Sequence, residues 1–285
     1  MGATFSRPQT FRLKSKSWIS QSLDSLVIFS IFADNCTKDP CRCPRTKTVE
    51  EFARILESER IVHVRGTPAS GKTTLAHLLY LYYRRQNTPS VFIKSWLDGP
   101  PGLDADGRLI YHAMNAKYHV DRSTLNDANI VWIIDEAQLS YHDDGLWLGF
   151  IKSQQDSKYG PRICVFSSYG SPTRGSETVR KAGSHLAYLG VQKRISIMPS
   201  KIRRSPVIGL FYTRPEFNDV LDRFCNDEKS GLKLDPDAVD YIYSLTNGHP
   251  GAVSAILSML EQVKASFPAL GCTTSTSTDE ELIGL

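Results

Sequence analysis

No apolar run in this 285-residue chain reaches the roughly 18 residues that a bilayer-crossing helix requires, so the sequence offers no transmembrane segment. The nearest approach is the stretch 26–33, Leu-Val-Ile-Phe-Ser-Ile-Phe-Ala, preceded by basic residues in the manner of a signal peptide. It starts late and Asp24 abuts it, which favours a buried strand or helix over an export signal. Cysteine is also scarce. The six residues Cys36, Cys41, Cys43, Cys164, Cys225 and Cys272 are too few and too scattered to staple a secreted scaffold, so a reducing intracellular compartment, cytoplasmic or nuclear, is expected. Cys36, Cys41 and Cys43 cluster and could bind zinc if His63 or another group supplied a fourth ligand, but their spacing matches neither half of a paired Cys-x-x-Cys site, and free thiols are the better reading. Acid is nearly missing from 157–215, where Glu177 stands alone against eleven Lys and Arg. From Glu216 onward the balance turns acidic. Such a basic segment either pairs within the fold or attracts phosphates; lacking regularly interleaved aromatics, it favours pairing over a nucleic-acid groove. There are no internal repeats.

What is present is an ordinary globular composition, 41% hydrophobic and 22% charged with a net charge of +4. Residues 1–47 read as a basic leader and linker, beginning Met1-Gly2-Ala3-Thr4-Phe5-Ser6, which fits the short pattern for N-myristoylation. Thr48 followed by Glu51 suggests a capping box and a helix to about 58. Apolar runs at 61–64, 91–96, 130–134, 163–167 and 194–198 alternate with helical patterns at 72–85, 107–118 and 147–154. Short continuous apolar strands separated by helices predict a parallel sheet buried on both faces. After 215 the pattern is helical only, and the Ser/Thr-rich end after Cys272 has no periodicity and is expected to be disordered. The resulting division is a core over 48–214, a helical lid over 215–266 and a tail over 267–285.

The chemistry concentrates in two places. Gly66, Thr67, Pro68, Ala69, Ser70, Gly71, Lys72 and Thr73 fit Gly-x-x-x-x-Gly-Lys-Thr between a predicted strand and a predicted helix. Glycines let the backbone amides wrap a phosphate, the helix N-terminus adds positive potential, Lys72 reaches the β- and γ-phosphates, and the Thr73 hydroxyl can ligate Mg²⁺. Thr74 adjoins the loop and fits a helix-packing role or a place at its margin. The run Ile130-Val-Trp-Ile-Ile134 then delivers Asp135 and Glu136 at the C-terminal tip of a strand, where α/β sheets place ligands. Asp135 suits Mg²⁺ binding, usually through water, and Glu136 suits the general base that orients and deprotonates water. The strand at 163–167 ends in Ser167 and Ser168; Ser167 is a candidate contact to the γ-phosphate or the water, although serine also commonly opens a turn.

Together these residues resemble P-loop ATPases of the AAA+ and STAND type, whose Walker B strand carries the same Asp-Glu pair. The resemblance runs from about 48 to 264 and includes Gly248, His249, Pro250 and Gly251, similar to the Gly-x-Pro element of STAND lids, which implies that Pro250 lies near the nucleotide. The wording of loop and lid is also similar to the NTPase modules of fungal and oomycete Crinkler-type proteins, although only about 20 residues follow Lys264 here, too few for the nuclease-like domain commonly joined to those modules. No arginine finger is identifiable; Arg162, Arg203 and Arg204 lie near strand ends where related ATPases place such residues, but most arginines there are merely solvated. The expected fold is a three-layer α/β P-loop NTPase with a parallel sheet and a small C-terminal helical lid. The expected function is binding of ATP with Mg²⁺ and slow hydrolysis as a conformational switch or assembly signal, with a protein partner or a homo-oligomer. The rivals are a nucleotide-binding regulatory module with negligible turnover and a nucleic-acid-stimulated ATPase, for which no helicase motif speaks.

Overall fold

Short β-branched and aromatic runs, each buried along its whole length, build the centre of the molecule. The computed structural model describes residues 43–155, 157, 159–168, 189–227 and 232–266. The expectations for the leader, the 26–33 stretch, the acylation pattern, Cys36, Cys41, Cys272, the tail, and Arg174, Glu177, Arg180 and Lys181 of the basic segment lie outside the described residues.

The described chain runs α1 (Thr46–Glu59), β1 (Ile61–Gly66), α2 (Lys72–Arg85), β2 (Ser90–Ile93), α3 (Ala105–Asn115) and β3 (Val131–Ile134). A 3-10 turn (Ala137–Ser140) and a π-helical segment (Gly145–Ile151) lead to β4 (Arg162–Ser168) and the two-residue β5 (Arg194–Ile195). Three helices close it: α4 (Arg214–Asn226), α5 (Pro236–Thr246) and α6 (Pro250–Ser266). All five strands are parallel in the order β2-β3-β4-β1-β5. The helices α1 and α2 pack together on one face, while α3 and the π-helical segment cover the other. That second face buries Ile61, Ile93, Trp132, Ile134, Ile163 and Val165 against Leu109, Trp147 and Phe150. The expected three-layer parallel fold with a helical C-terminal region is therefore the observed one.

Most element types were legible, while several ends moved for identifiable reasons. The expected helix at 147–154 begins at Gly145 and is wound as a π-helix, with Trp147 turned inward so that its Nε1 donates to the Ser140 carbonyl at 3.1 Å and hydroxyl at 3.0 Å. Thr48 is not the cap of α1. The helix starts at Thr46 behind Arg45, which sits in left-handed conformation (φ 48°) and gives no side-chain cap. Thr48 instead donates its hydroxyl to Glu216 Oε1 at 2.6 Å, and Glu51 turns to Arg54. Residues 43–45 are likewise more than a linker: Cys43 is buried among Phe217, Val220, Leu221 and Phe224 of α4, where burial pushes its thiol up to about 12.

Arg45 fastens these parts together. Its guanidinium is 3% exposed and pairs with Glu216 at 3.1 Å. It also donates to the carbonyls of Gly209, Leu210 and Phe211 at 3.0, 2.9 and 3.2 Å, the stretch that leads from the sheet to α4. Glu216 is at the same time the third residue of a capping box, accepting from the Thr213 amide at 2.9 Å. Burial pushes the Glu216 carboxyl up, but the Arg45 charge and bond and the Thr48 and Thr213 hydrogen bonds outweigh it and hold it below its ordinary value.

Removing one member of a buried pair leaves the other charge uncompensated, so Arg45→Ala is expected to cost about 3–5 kcal/mol in denaturant unfolding. A depressed carboxylate contributes stability that is complete above its unfolded value and fades as pH falls through the folded one. In the wild type this loss should begin only below the ordinary glutamate range. A stability profile of Arg45→Ala that matches the wild type across acid pH would show that the pair does not hold the C-terminal helices.

Candidate functional site

The phosphate-loop sequence folds as its glycines require. Gly66 ends β1, and a Cβ there would overlap Leu210 Cδ1 and the Ser70 hydroxyl. Gly71 has φ 86° at the start of α2, a conformation in which other residues are strained, and Ala69 also lies at positive φ (59°). Thr67, Pro68 and Ala69 are exposed, whereas Ser70 is fully buried and ties the loop by donating its hydroxyl to the Thr67 carbonyl at 2.7 Å. Lys72 is 6% exposed and turned inward, donating Nζ to the Thr67 carbonyl at 2.8 Å and the Gly66 carbonyl at 3.3 Å. Its pKa is lowered by burial, a shift opposed by the charges of Glu136 and Asp135. Thr73 is exposed and Thr74 half-buried on the first turn of α2.

The carboxylate pair stands at the tip of β3. Asp135 is 2% exposed; its amide prolongs the sheet by donating to the Ile93 carbonyl at 2.8 Å, and its Oδ1 accepts from the Glu136 amide at 3.0 Å. Burial raises its pKa against the lowering pull of hydrogen bonds from Thr73 and the Glu136 amide. Thr73 and Lys72 thus come into the neighbourhood of the carboxylates, Thr73 opposing the rise of the Asp135 pKa and both carboxylate charges opposing the fall of the Lys72 pKa. Glu136 turns the chain out of the strand in left-handed conformation, φ 47°. Its Oε2 accepts from Gln138 Nε2, and Gln138 Oε1 accepts from the Ser168 amide at 3.0 Å. Gln138 was not among the expected site residues; the signal available was a long amide side chain two residues beyond the carboxylate pair.

Ser167 is not brought to the loop with these residues. It is 1% exposed, and its hydroxyl lies 2.8 Å from His63 Nε2. His63 is buried against Trp147, on the face away from α2, and burial with the nearby Arg65 and Arg194 charges depresses it to about 3, so it is neutral. The hydroxyl at the tip of β4 is therefore committed to internal bonding. The suggested zinc group fares similarly: Cys43 packs among the C-terminal helices while His63 binds Ser167, so they do not share a site.

Arg162 begins β4, at the opposite end of the strand from the loop. It donates to Glu57 at 2.6 Å and Asn129 at 2.7 Å, which removes it from consideration as an arginine finger. Arg203 and Arg204 are exposed in a turn. Where the described part of the basic segment pairs, it does so within the fold: Arg162 with Glu57 of α1, Lys193 with the Gln155 carbonyl, Arg214 with Asp240 of α5.

The start of α6 lies directly on the loop. Gly251 donates its amide to the Ala69 carbonyl at 3.0 Å. A Cβ on Gly71 would stand 3.2 Å from Pro250 Cγ, and one on Gly251 only 2.5 Å from Ala69 Cβ and 2.9 Å from its carbonyl oxygen. Behind them Asn247 ends α5 in left-handed conformation, the Gly248 carbonyl accepts from the Tyr212 amide at 2.8 Å, and His249 packs edge-on against Phe211. Pro250 is thus beside the loop, and Gly251, the last residue of the lid element read in the sequence, is what permits the contact.

Residues 44–160, covering the loop and both carboxylates, match the family model described as Novel STAND NTPase 3. The parallel sheet and the loop geometry are those of a P-loop NTPase fold, in agreement with that match. Among solved structures, the chain is similar to the Walker-type ATPase paby2304 of Pyrococcus abyssi (14% identity, 79% of this chain and 76% of that one, TM-score 0.42). It is also similar to a RuvB mutant of Thermotoga maritima (16%, 80% and 64%, TM-score 0.38) and to PCH-2 of C. elegans (14%, 78% and 66%, TM-score 0.29). No curated protein matches the chain.

The contact between Gly251 and Ala69 leaves no space for a methyl group. Gly251→Ala is expected to destabilise the protein by about 1–3 kcal/mol through overpacking. Adding Ala69→Gly removes the opposing Cβ and a positive-φ alanine together, and should restore much of the loss. Thermal melts of the single and double mutants decide the matter; a double mutant no more stable than Gly251→Ala would show that the two residues do not oppose each other.

Proposed function

We propose that this domain binds Mg·ATP at the Gly66–Thr73 loop and hydrolyses it slowly, with occupancy and turnover timing a conformational switch or an assembly signal. The observation that carries the reading is the convergence of Lys72, Thr73, Asp135 and Glu136, which come from the ends of two strands that are not neighbours. The residues suit the metal: a hydroxyl beside a buried carboxylate offers hard oxygen ligands of the kind Mg²⁺ prefers. When bound, Mg²⁺ would supply Lewis-acid neutralisation of phosphate charge, with Thr73 and Asp135 as its holders.

The protein's own groups would do the rest. The loop amides and the α2 N-terminus would receive the phosphates. Lys72 would exchange its bonds to the Gly66 and Thr67 carbonyls for phosphate oxygens, which satisfy an ammonium better because they carry charge. Glu136 would accept a proton from the attacking water. Pro250, packed on Gly71, would sense loading of the loop. The preference for ATP, the Crinkler-like kinship and a partner or second copy supplying an arginine remain part of this proposal, and rest on the resemblance of loop and lid. The intramolecular pairing of Arg162, Lys193 and Arg214 favours this reading over a nucleic-acid-dependent ATPase.

Lys72→Ala should abolish measurable ATP binding in calorimetry on folded protein; wild-type affinity would remove the loop from the site. Glu136→Gln should behave differently, keeping ATP and Mg²⁺ while losing turnover, so that nucleotide recovered from the mutant is ATP. Hydrolysis at the parent's rate would show that the base lies elsewhere.

A further inference from the structure

The sheet order leaves a vacancy in hydrogen bonding that Gln138 fills. Arg162 at the start of β4 donates its amide to the Ile130 carbonyl before β3. Alternation along the strand then directs the amides of residues 164, 166 and 168 to the same side. The last β3–β4 pairing is Ile134 with Val165, because Glu136 turns the chain away at φ 47°. The Ser168 amide therefore extends past the end of β3, and the Gln138 side-chain oxygen takes the place of the missing strand carbonyl at 3.0 Å.

This fixes the other end of the same amide. A backbone N–H can only donate, so Gln138 must present its oxygen to Ser168 and its NH₂ to Glu136 Oε2, a carboxylate that can only accept. Ser168 is in register with Gly66, the first residue of the phosphate loop. The chain around Gln138 is held by a second attachment, since Tyr141 packs on Trp147.

We infer that Gln138 is a positioning residue for hydrolysis, orienting the Glu136 carboxylate from a fixed point at the tip of β4, beside the loop. This rests on the reading of Glu136 as the base. The amide holds one carboxylate oxygen and leaves the other to face water. Its span of one side chain couples the carboxylate to the strand between β1 and β3, so the base keeps its place relative to Gly66 despite its strained backbone.

The test is single-turnover ATP hydrolysis by the full chain, followed for hours, with calorimetric ATP affinity, for wild type, Gln138→Leu, Gln138→Glu, Glu136→Gln and the Glu136→Gln/Gln138→Leu double mutant. Gln138→Leu should lose about 10- to 100-fold in rate, the scale of a misplaced catalytic group, with ATP affinity unchanged. Gln138→Glu, which keeps an acceptor for Ser168 but sets a second carboxylate against Glu136, should be no faster than Gln138→Leu. The double mutant should be no slower than Glu136→Gln, because a residue acting through Glu136 has nothing further to lose. Should Glu136→Gln hydrolyse at the parent's rate, the base reading fails whatever Gln138 does. An inactive Glu136→Gln beside a Gln138→Leu of parental or higher rate, or a double mutant slower than Glu136→Gln, overturns the positioning role alone. Thermal melts of Glu136→Ala, Gln138→Leu and their double mutant report the contact without turnover, and strictly additive losses would overturn it as well.

Discussion

The phosphate loop and the carboxylate pair belong to strands that do not touch. Between β1 and β3 runs β4, bonded to both, and every feature of the site depends on the parallel ladders that hold these three ends level. Parallel pairing fixes the direction, so all C-terminal ends open on one edge. Register fixes the height: Gly66 stands opposite Ser168, while β3 stops at Ile134 against Val165. Lys72 and Thr73 then reach the carboxylates from one side, and the tip of β4 becomes a platform between them. A slip of one residue in either ladder would move the loop relative to Asp135 and reverse which side chains face α2. The buried apolar runs within β1, β3 and β4 oppose such a slip, because it would exchange the side chains that face each layer and carry Arg65, half-buried here, to the opposite face.

The C-terminal helices meet this edge through two attachments of unequal strength. At the loop there is one backbone hydrogen bond, Gly251 to Ala69, plus the packing of Pro250 on Gly71; a net hydrogen bond contributes about 1 kcal/mol. At the far side Arg45 makes a buried ion pair and three carbonyl bonds at once, and breaking such a pair costs several times more, about 3–5 kcal/mol. The helix tip beside the nucleotide-binding loop is thus the weakly held end, and the start of α4 the strongly held one.

The fold was readable because its signals are local. Continuous apolar runs gave the strands, the Gly-x-x-x-x-Gly-Lys-Thr spacing gave the loop and the start of α2, and Ile130 to Asp135 gave the carboxylate strand. What was missed came from contacts distant in sequence. Thr48 and Glu51 look like a capping box in isolation, yet Thr48 is claimed by Glu216, 168 positions away. Arg45 reads as one basic residue in a basic leader, and nothing local says that it will be buried. Ser167 occupies a strand tip where a hydroxyl could meet phosphate, and its bond to His63, which packs on Trp147, has no local signal in the sequence. Gln138 has no role until β3 is seen to end before β4 does.

Lys72 shows why loop order and nucleotide binding belong to one balance. Without phosphate, the ammonium finds its acceptors in the loop itself, on Gly66 and Thr67, and Thr67 also receives the Ser70 hydroxyl and amide. Three donors on one carbonyl keep the loop folded, with its lysine satisfied, at the expense of leaving that lysine turned inward. A phosphate must displace two carbonyls that already receive charge-assisted bonds from the ammonium, so its advantage lies in its own negative charge. The Ser70 bond is independent of the lysine and can hold the loop's shape while Lys72 turns. Since Ala69, the residue between Thr67 and Ser70 that contacts Gly251, lies inside this same turn, any change in the loop's inner bonding is felt first at the weak attachment of the C-terminal helices.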